Sequence, residues 1–157
     1  MNKKAIITIL LAILTLGATA QNQNDTVVVV NEQKTMPSYP GGLNALMKFL
    51  GENIQYPELA EQYGVEAKIT MDFIVDKNGK LKDISANDCK IERLNTTTFG
   101  QETKAKQAEL KKQFALLFAK EGARVIRKMP KWKPGKVNGQ NVETKFHLPI
   151  HFTIPDK

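Results

Sequence analysis

Two histidines, one cysteine and two aspartates are the side chains in this sequence with the most scope for chemistry, and their spacing argues against most of it. His147 and His151 fall on one face of an alternating run, which sets their side chains about 13 Å apart along a strand. They cannot share a metal, and no third ligand stands near them in the sequence. Cys89 is the only cysteine, so no internal disulfide can form. A reactive thiol needs a neighbouring cation to stabilise the thiolate, whereas Cys89 has Asp88 beside it. Asp72 and Asp76 read as a surface residue and a turn residue rather than an acid/base pair. No Gly-x-Ser-x-Gly, His-Glu-x-x-His, phosphate-binding glycine loop or Cys-x-x-Cys occurs, so the motifs that mark hydrolases, zinc sites and nucleotide enzymes are absent. The expectation is a binding protein with no catalytic residue, no cofactor and no metal.

One local feature points to what it binds. The last alternating run places Phe146, Leu148, Ile150, Phe152 and Ile154 on one face, opposite Lys145, His147, His151 and Thr153. Pro149 lies inside it. Proline cannot donate to a sheet ladder, so such a strand belongs at an edge. An edge presents unpaired N–H and C=O groups that another extended chain can complete, although Lys145 and Pro149 are also residues that blunt an edge against aggregation.

The elements that must position this strand follow from periodicity. Val27–Val30 reads as a short first strand, and Pro37, Pro40, Gly41 and Gly42 then break regular structure. Leu43, Leu46, Met47, Leu50 and Ile54 form the apolar stripe of an amphipathic helix, with Asn44, Lys48 and Glu52 facing away. Pro57 suits the first turn of a second, short helix over residues 58–63, and Gly64 suits its end. Val65, Ala67, Ile69, Met71, Phe73 and Val75 alternate with polar residues as a half-buried strand. Asn78-Gly79 predicts a hairpin, because both residues tolerate positive φ, with residues 81–86 returning. Residues 90–106 read as a loop or insertion. Leu110, Phe114, Leu117, Phe118, Val125 and Ile126 then mark a long helix, weakened by Gly122 and stopped by Met129-Pro130. Asn138-Gly139 offers a second tight turn before the last strand, which starts near Val142. The expected architecture is α+β, a small, mainly antiparallel sheet with helices packed on one face.

Compartment and charge come from the chain start. Lys3 and Lys4, an apolar run over residues 5–16 and Ala18-Thr19-Ala20 match a secretory signal peptide, with cleavage expected before Gln21. The run is shorter than the roughly 20 apolar residues of a spanning helix. The alternative is an uncleaved anchor. Residues 21–35 would be a leader with the short strand, and residues 36–157 one domain. The chain has 23 Lys and Arg against 16 acidic residues; without Lys3 and Lys4, 21 against 16 leaves about +5. Nucleic acid is not an expected partner of an exported chain. The cluster Lys128, Lys131, Lys133 and Lys136 suits an anionic envelope surface.

With the elements in order, the sequence resembles the C-terminal domain of the TonB energy-transducer family, in the variety common in the Bacteroidota. The likeness rests on Pro40-Gly41-Gly42 before Ala45-Leu46, on Asn53-Ile54-Gln55-Tyr56-Pro57, and on Gly64-Val65 leading to Phe73 through Gly79. It continues through Glu121, Arg124-Val125-Ile126 and Met129 through Lys136, and closes on Asn138-Gly139, Val142 and Leu148-Pro149-Ile150-x-Phe152. Ala67 stands where the family usually has glycine, and Gly122-Ala123 where it has Ala-Leu. The resemblance implies a periplasmic module that binds the TonB box, an extended segment of outer-membrane transporters, by strand addition. It also implies the site: Asn53, Gln55, Tyr56 and Pro57 near the incoming peptide, and Val142, Thr144, Phe146, Leu148 and Ile150 on the receiving strand. Trp132 is the expected core anchor. Two alternatives accompany this reading. One is a structural or homodimeric envelope protein pairing through the same edge. The other is a membrane-anchored energy transducer working with an ExbB/ExbD-like complex, if the first segment is retained.

Overall fold

The computed structural model describes residues 33–154. The expected signal peptide and the strand at Val27–Val30 lie outside the described residues. Ten elements follow in order: β1 (Lys34–Thr35), α1 (Gly42–Asn53), α2 (Glu58–Gln62), β2 (Glu66–Val75), β3 (Leu81–Arg93), α3 (Thr96–Gly100), α4 (Lys104–Arg127), β4 (Gly135–Val137), β5 (Gln140–Val142) and β6 (Thr144–Phe152). The fold is α+β. Where one sheet was expected there are two, both three-stranded and antiparallel, ordered β3-β2-β6 and β1-β4-β5.

The β2–β3 hairpin forms as expected but turns differently. The Asp76 carbonyl accepts from the Gly79 N–H at 2.9 Å, and the Asp76 N–H donates to the Lys80 carbonyl at 2.9 Å. Only Gly79 has positive φ, at 80°, so this is a longer turn with glycine at the left-handed position rather than a two-residue Asn-Gly turn. Asp76 Oδ1 closes it by accepting from the N–H groups of Asn78 and Lys80. The two-residue form occurs instead between β4 and β5, where Asn138 and Gly139 have φ of 50° and 80°.

The expected loop over residues 90–106 is largely folded. β3 continues past Ala86 to Arg93 because it stays paired with β2 from Thr70 back to Glu66; it carries three register shifts, each adding a residue on the β3 side, which is why 13 residues pair with 10. α3 then starts where Asn95 Oδ1 accepts from the N–H groups of Thr97 and Thr98, and α4 where Thr103 Oγ1 accepts from Lys106. These polar residues therefore act as helix caps. Phe99, buried against Tyr63, anchors the short helix.

Two helices refine the sequence reading. α1 buries Leu46 and Leu50, with Ala45 and Phe49 against the core, while Leu43 and Met47 are 49% and 38% exposed. The helix is rolled away from the expected stripe because Phe49, which meets the Tyr39 ring at 5.8 Å, brings more apolar surface than Met47. α4 runs unbroken through Gly122. That glycine lies against Met71 of β2, where an added Cβ would come within 2.9 Å of the sulfur, so it sets how closely helix and strand approach. The core lies between α4 and the face of β2 and β6 carrying Ile69, Met71, Phe73, Leu148, Ile150 and Phe152, all essentially inaccessible to solvent. Among the described residues no helix is long and apolar enough to cross a membrane.

Candidate functional site

β6 is the feature best placed for recognition. It pairs with β2 along its whole length, from Ala67↔Phe152 to Val75↔Thr144, with no register shift. Its other side pairs with no described strand. β3, the opposite edge of the same sheet, is interrupted by its three shifts, and bulges of that kind disfavour docking of a further strand. The sheet thus has one irregular edge and one regular edge.

Pro149 fixes which groups that regular edge offers. It sits opposite Thr70 within the unbroken ladder and has no N–H to donate, so its backbone faces the free side. Backbone direction alternates along a strand together with side-chain direction. Lys145, His147 and His151 therefore turn their N–H and C=O groups to the free edge and their side chains to the outer face. Thr144, Phe146, Leu148 and Ile150 point their backbone groups towards β2. Of the residues that the resemblance implies, Leu148 and Ile150 are 2% and 0% exposed, so their side chains belong to the core, and Phe146 packs on Phe73 and Trp132 at 5.5 and 5.0 Å between ring centres. Val142 is not on this strand at all. It ends β5 and pairs with Gly135, and the chain passes between the two sheets at Glu143.

The segment Asn53 to Pro57 lies at the far end of β6, where the Tyr56 ring meets Phe152 at 6.0 Å and Phe118 at 5.9 Å. Several of its polar groups are already engaged, while the Gln55 side chain is exposed. Tyr56 donates its hydroxyl proton to the Val65 carbonyl, and burial together with Glu66 and Glu61 pushes its phenol well above the usual range. Asn53 Nδ2 donates to the Phe49 carbonyl at 2.9 Å. Gln55 donates its backbone N–H to Glu121 Oε1 at 2.6 Å, and Arg124 reaches both Glu121 oxygens and the Asn53 carbonyl. A buried carboxylate and its arginine on α4 thus clamp the α1–α2 connection. Pro57 caps α2. Trp132 is 3% exposed among Tyr39, Phe73 and Phe146, with its indole N–H buried and unpartnered.

Asp72 departs most from its sequence reading. Instead of a surface residue it is a buried carboxylate, 5% exposed on the outer face of β2, where His147 Nδ1 lies 2.6 Å from Oδ1 and Lys145 Nζ 2.9 Å from Oδ2. The register Asp72↔His147 brings them together. Their spacing of 75 positions in sequence carried no local signal. Burial alone would raise the carboxyl pKa, but the bonds from Lys145 and His147 outweigh it and hold Asp72 below the usual range. A depressed folded-state pKa contributes stability that is present above the unfolded value and lost as pH falls through the folded one. The protein should therefore lose stability on acidification below about pH 4. Asp72→Asn should flatten that acid limb in urea unfolding curves; an unchanged limb would remove Asp72 as its source.

His151 packs more tightly than His147. Its Nε2 is buried without a partner, and its Nδ1 lies 4.0 Å from Glu92 Oε2. Cys89 lines a groove of about 490 Å³ between β3 and α4, where burial and then Asp88 push its thiol up, which disfavours the thiolate. Among the described residues no three His, Cys, Asp or Glu converge to hold a metal ion. No family model, no curated protein and no solved structure matches the chain.

Proposed function

We propose that this chain is a binding module that takes an extended peptide onto the edge of β6 that pairs with no described strand, by strand addition in the manner of the TonB C-terminal domain family. The observation that carries this reading is the contrast between the two edges of one sheet, with β6 regular over nine residues and β3 bulged three times. Natural sheets avoid regular edges, so an edge left regular, with Lys145 and Pro149 as its only blunting residues, beside one that is broken up suits a receptor. Main-chain bonds to Lys145, His147 and His151 supply affinity, and the incoming side chains lie beside that charged outer row. Together with an exported N-terminus, the reading makes the peptide a periplasmic segment such as the TonB box of an outer-membrane transporter. N-terminal sequencing of the protein in its host decides whether the module is free or still tethered to an energy source.

Titration calorimetry with TonB-box peptides tests the site. His147→Pro deletes an outward N–H without touching the ladder to β2, and should weaken binding roughly tenfold, the worth of about one hydrogen bond. His147→Ala, which loses the Asp72 contact but keeps the N–H, should bind nearly as wild type. Equal affinities for the two variants, or dimerisation in the ultracentrifuge in place of peptide binding, would overturn the proposal.

A further inference from the structure

The chain between Arg127 and Lys136 carries five cations and no acidic residue, and the fold directs them outward. Met129, Trp132 and Gly135 are buried, so Lys131, Lys133 and Lys136 are left exposed between and beyond them. Two other segments are bonded to this one. The hairpin tip joins through the Trp132 N–H, which donates to the Gly79 carbonyl at 2.9 Å, and this brings exposed Lys77 to the same region. The segment before α1 joins through Ser38 and Lys133, which exchange backbone bonds at 3.0 and 2.8 Å, and through Thr35↔Lys136. Met36 lies between those two pairings and is 67% exposed, the most exposed of the large apolar side chains described. Among the described residues none of Lys77, Lys131, Lys133 and Lys136 is ion-paired with a carboxylate. The nearby acid, Asp76, is engaged in its own turn.

We infer that this face docks on an anionic lipid surface, with the lysines against the headgroups and Met36 entering the interface. Lysines held near such a surface act additively and are screened by salt. An exposed apolar tip on a pinned backbone adds contact only where the partner has an apolar interior, which favours a bilayer over a soluble polyanion. This inference does not depend on peptide binding at β6.

Vesicle co-sedimentation of the full chain provides the test, comparing phosphatidylcholine alone with phosphatidylcholine containing phosphatidylglycerol. The apolar N-terminal run with its Lys3 and Lys4 is common to wild type and every variant, so the change relative to wild type is the readout. Wild type should prefer the anionic vesicles and lose that preference as salt rises. The combined Lys131→Gln, Lys133→Gln and Lys136→Gln variant should lose about a hundredfold, near fivefold per lysine, with an unchanged circular dichroism spectrum. Met36→Ser should weaken anionic-vesicle binding and leave the salt dependence intact. Equal partitioning to both vesicles, or a triple variant that binds as wild type, overturns the inference. So does a Met36→Ser chain that binds as wild type while heparin competes fully, since that pattern belongs to a polyanion site.

Discussion

Gly79→Ala should lower the unfolding free energy by about 3 kcal/mol and the melting temperature by roughly 10 °C. Two effects combine at this position. The backbone has φ of 80°, and an added Cβ would overlap the carbonyl oxygen of Trp132. That neighbour is main chain, so it cannot rotate away; the hairpin would have to lift from Trp132 and surrender the bond between the Trp132 N–H and the Gly79 carbonyl. Gly139 isolates the first effect. It has the same φ but nothing within 4 Å of an added Cβ, so Gly139→Ala should cost only about 1 kcal/mol, the usual penalty of a left-handed residue with a side chain. Calorimetry on the two variants measures the difference. Equal melting temperatures would show that the approach of Gly79 to Trp132 contributes nothing.

The second large effect is expected at Glu121. Its carboxylate is 8% exposed and accepts from Arg124 through both oxygens and from the Gln55 N–H. Removing one member of a buried pair leaves the other charge uncompensated, which costs about 3 kcal/mol or more when both are enclosed. Arg124 retains a third of its side-chain surface, so water offsets part of the loss and about 3 kcal/mol is the expected figure for Glu121→Ala. Arg124→Ala should cost at least as much, because it leaves the more deeply buried Glu121 carboxylate with only the Gln55 donor and also removes the bond to the Asn53 carbonyl. A double-mutant cycle in urea should show strong coupling between the two; independent effects would mean that Glu121 and Arg124 hold the connection separately, through Gln55 and Asn53.

The parts of this fold that sequence reading recovers are those whose signal is local and repeated. The alternation from Val65 to Val75, the apolar spacing from Leu110 to Ile126 and the pattern from Phe146 to Phe152 each repeat one period several times, and each yields its element. What escapes detection depends on partners far away in the chain. The continuation of β3 past Ala86 is hidden because every bulge resets the period-two pattern. The threonine-rich stretch reads as loop because Asn95 and Thr103 act through side-chain caps rather than apolar spacing. The second sheet has strands of two or three residues, too short for any periodicity. At the edge, the pattern identified the strand and Pro149 its position, yet only pairing with β2 reveals which residues turn their backbone outward. Asn53 through Tyr56 stand out in the sequence but are tied to Glu121 and Arg124, a contact that spans 66 to 71 positions.

The sequence separations predict that the two partners of β2 join it on different schedules. β3 can pair as soon as the hairpin at Asp76 closes, across a handful of residues. β6 is the last element of the sheet, and Asp72 meets His147 across 75 positions, after α4 and the second sheet have been made. Contacts of such long range slow folding, because the loop must close before they form. Until that happens β2 stands with one side open and with Asp72 lacking Lys145 and His147. Completion of the sheet and neutralisation of its buried carboxylate are thus one event, and chains shortened before Thr144 should accumulate as a hairpin without its third strand.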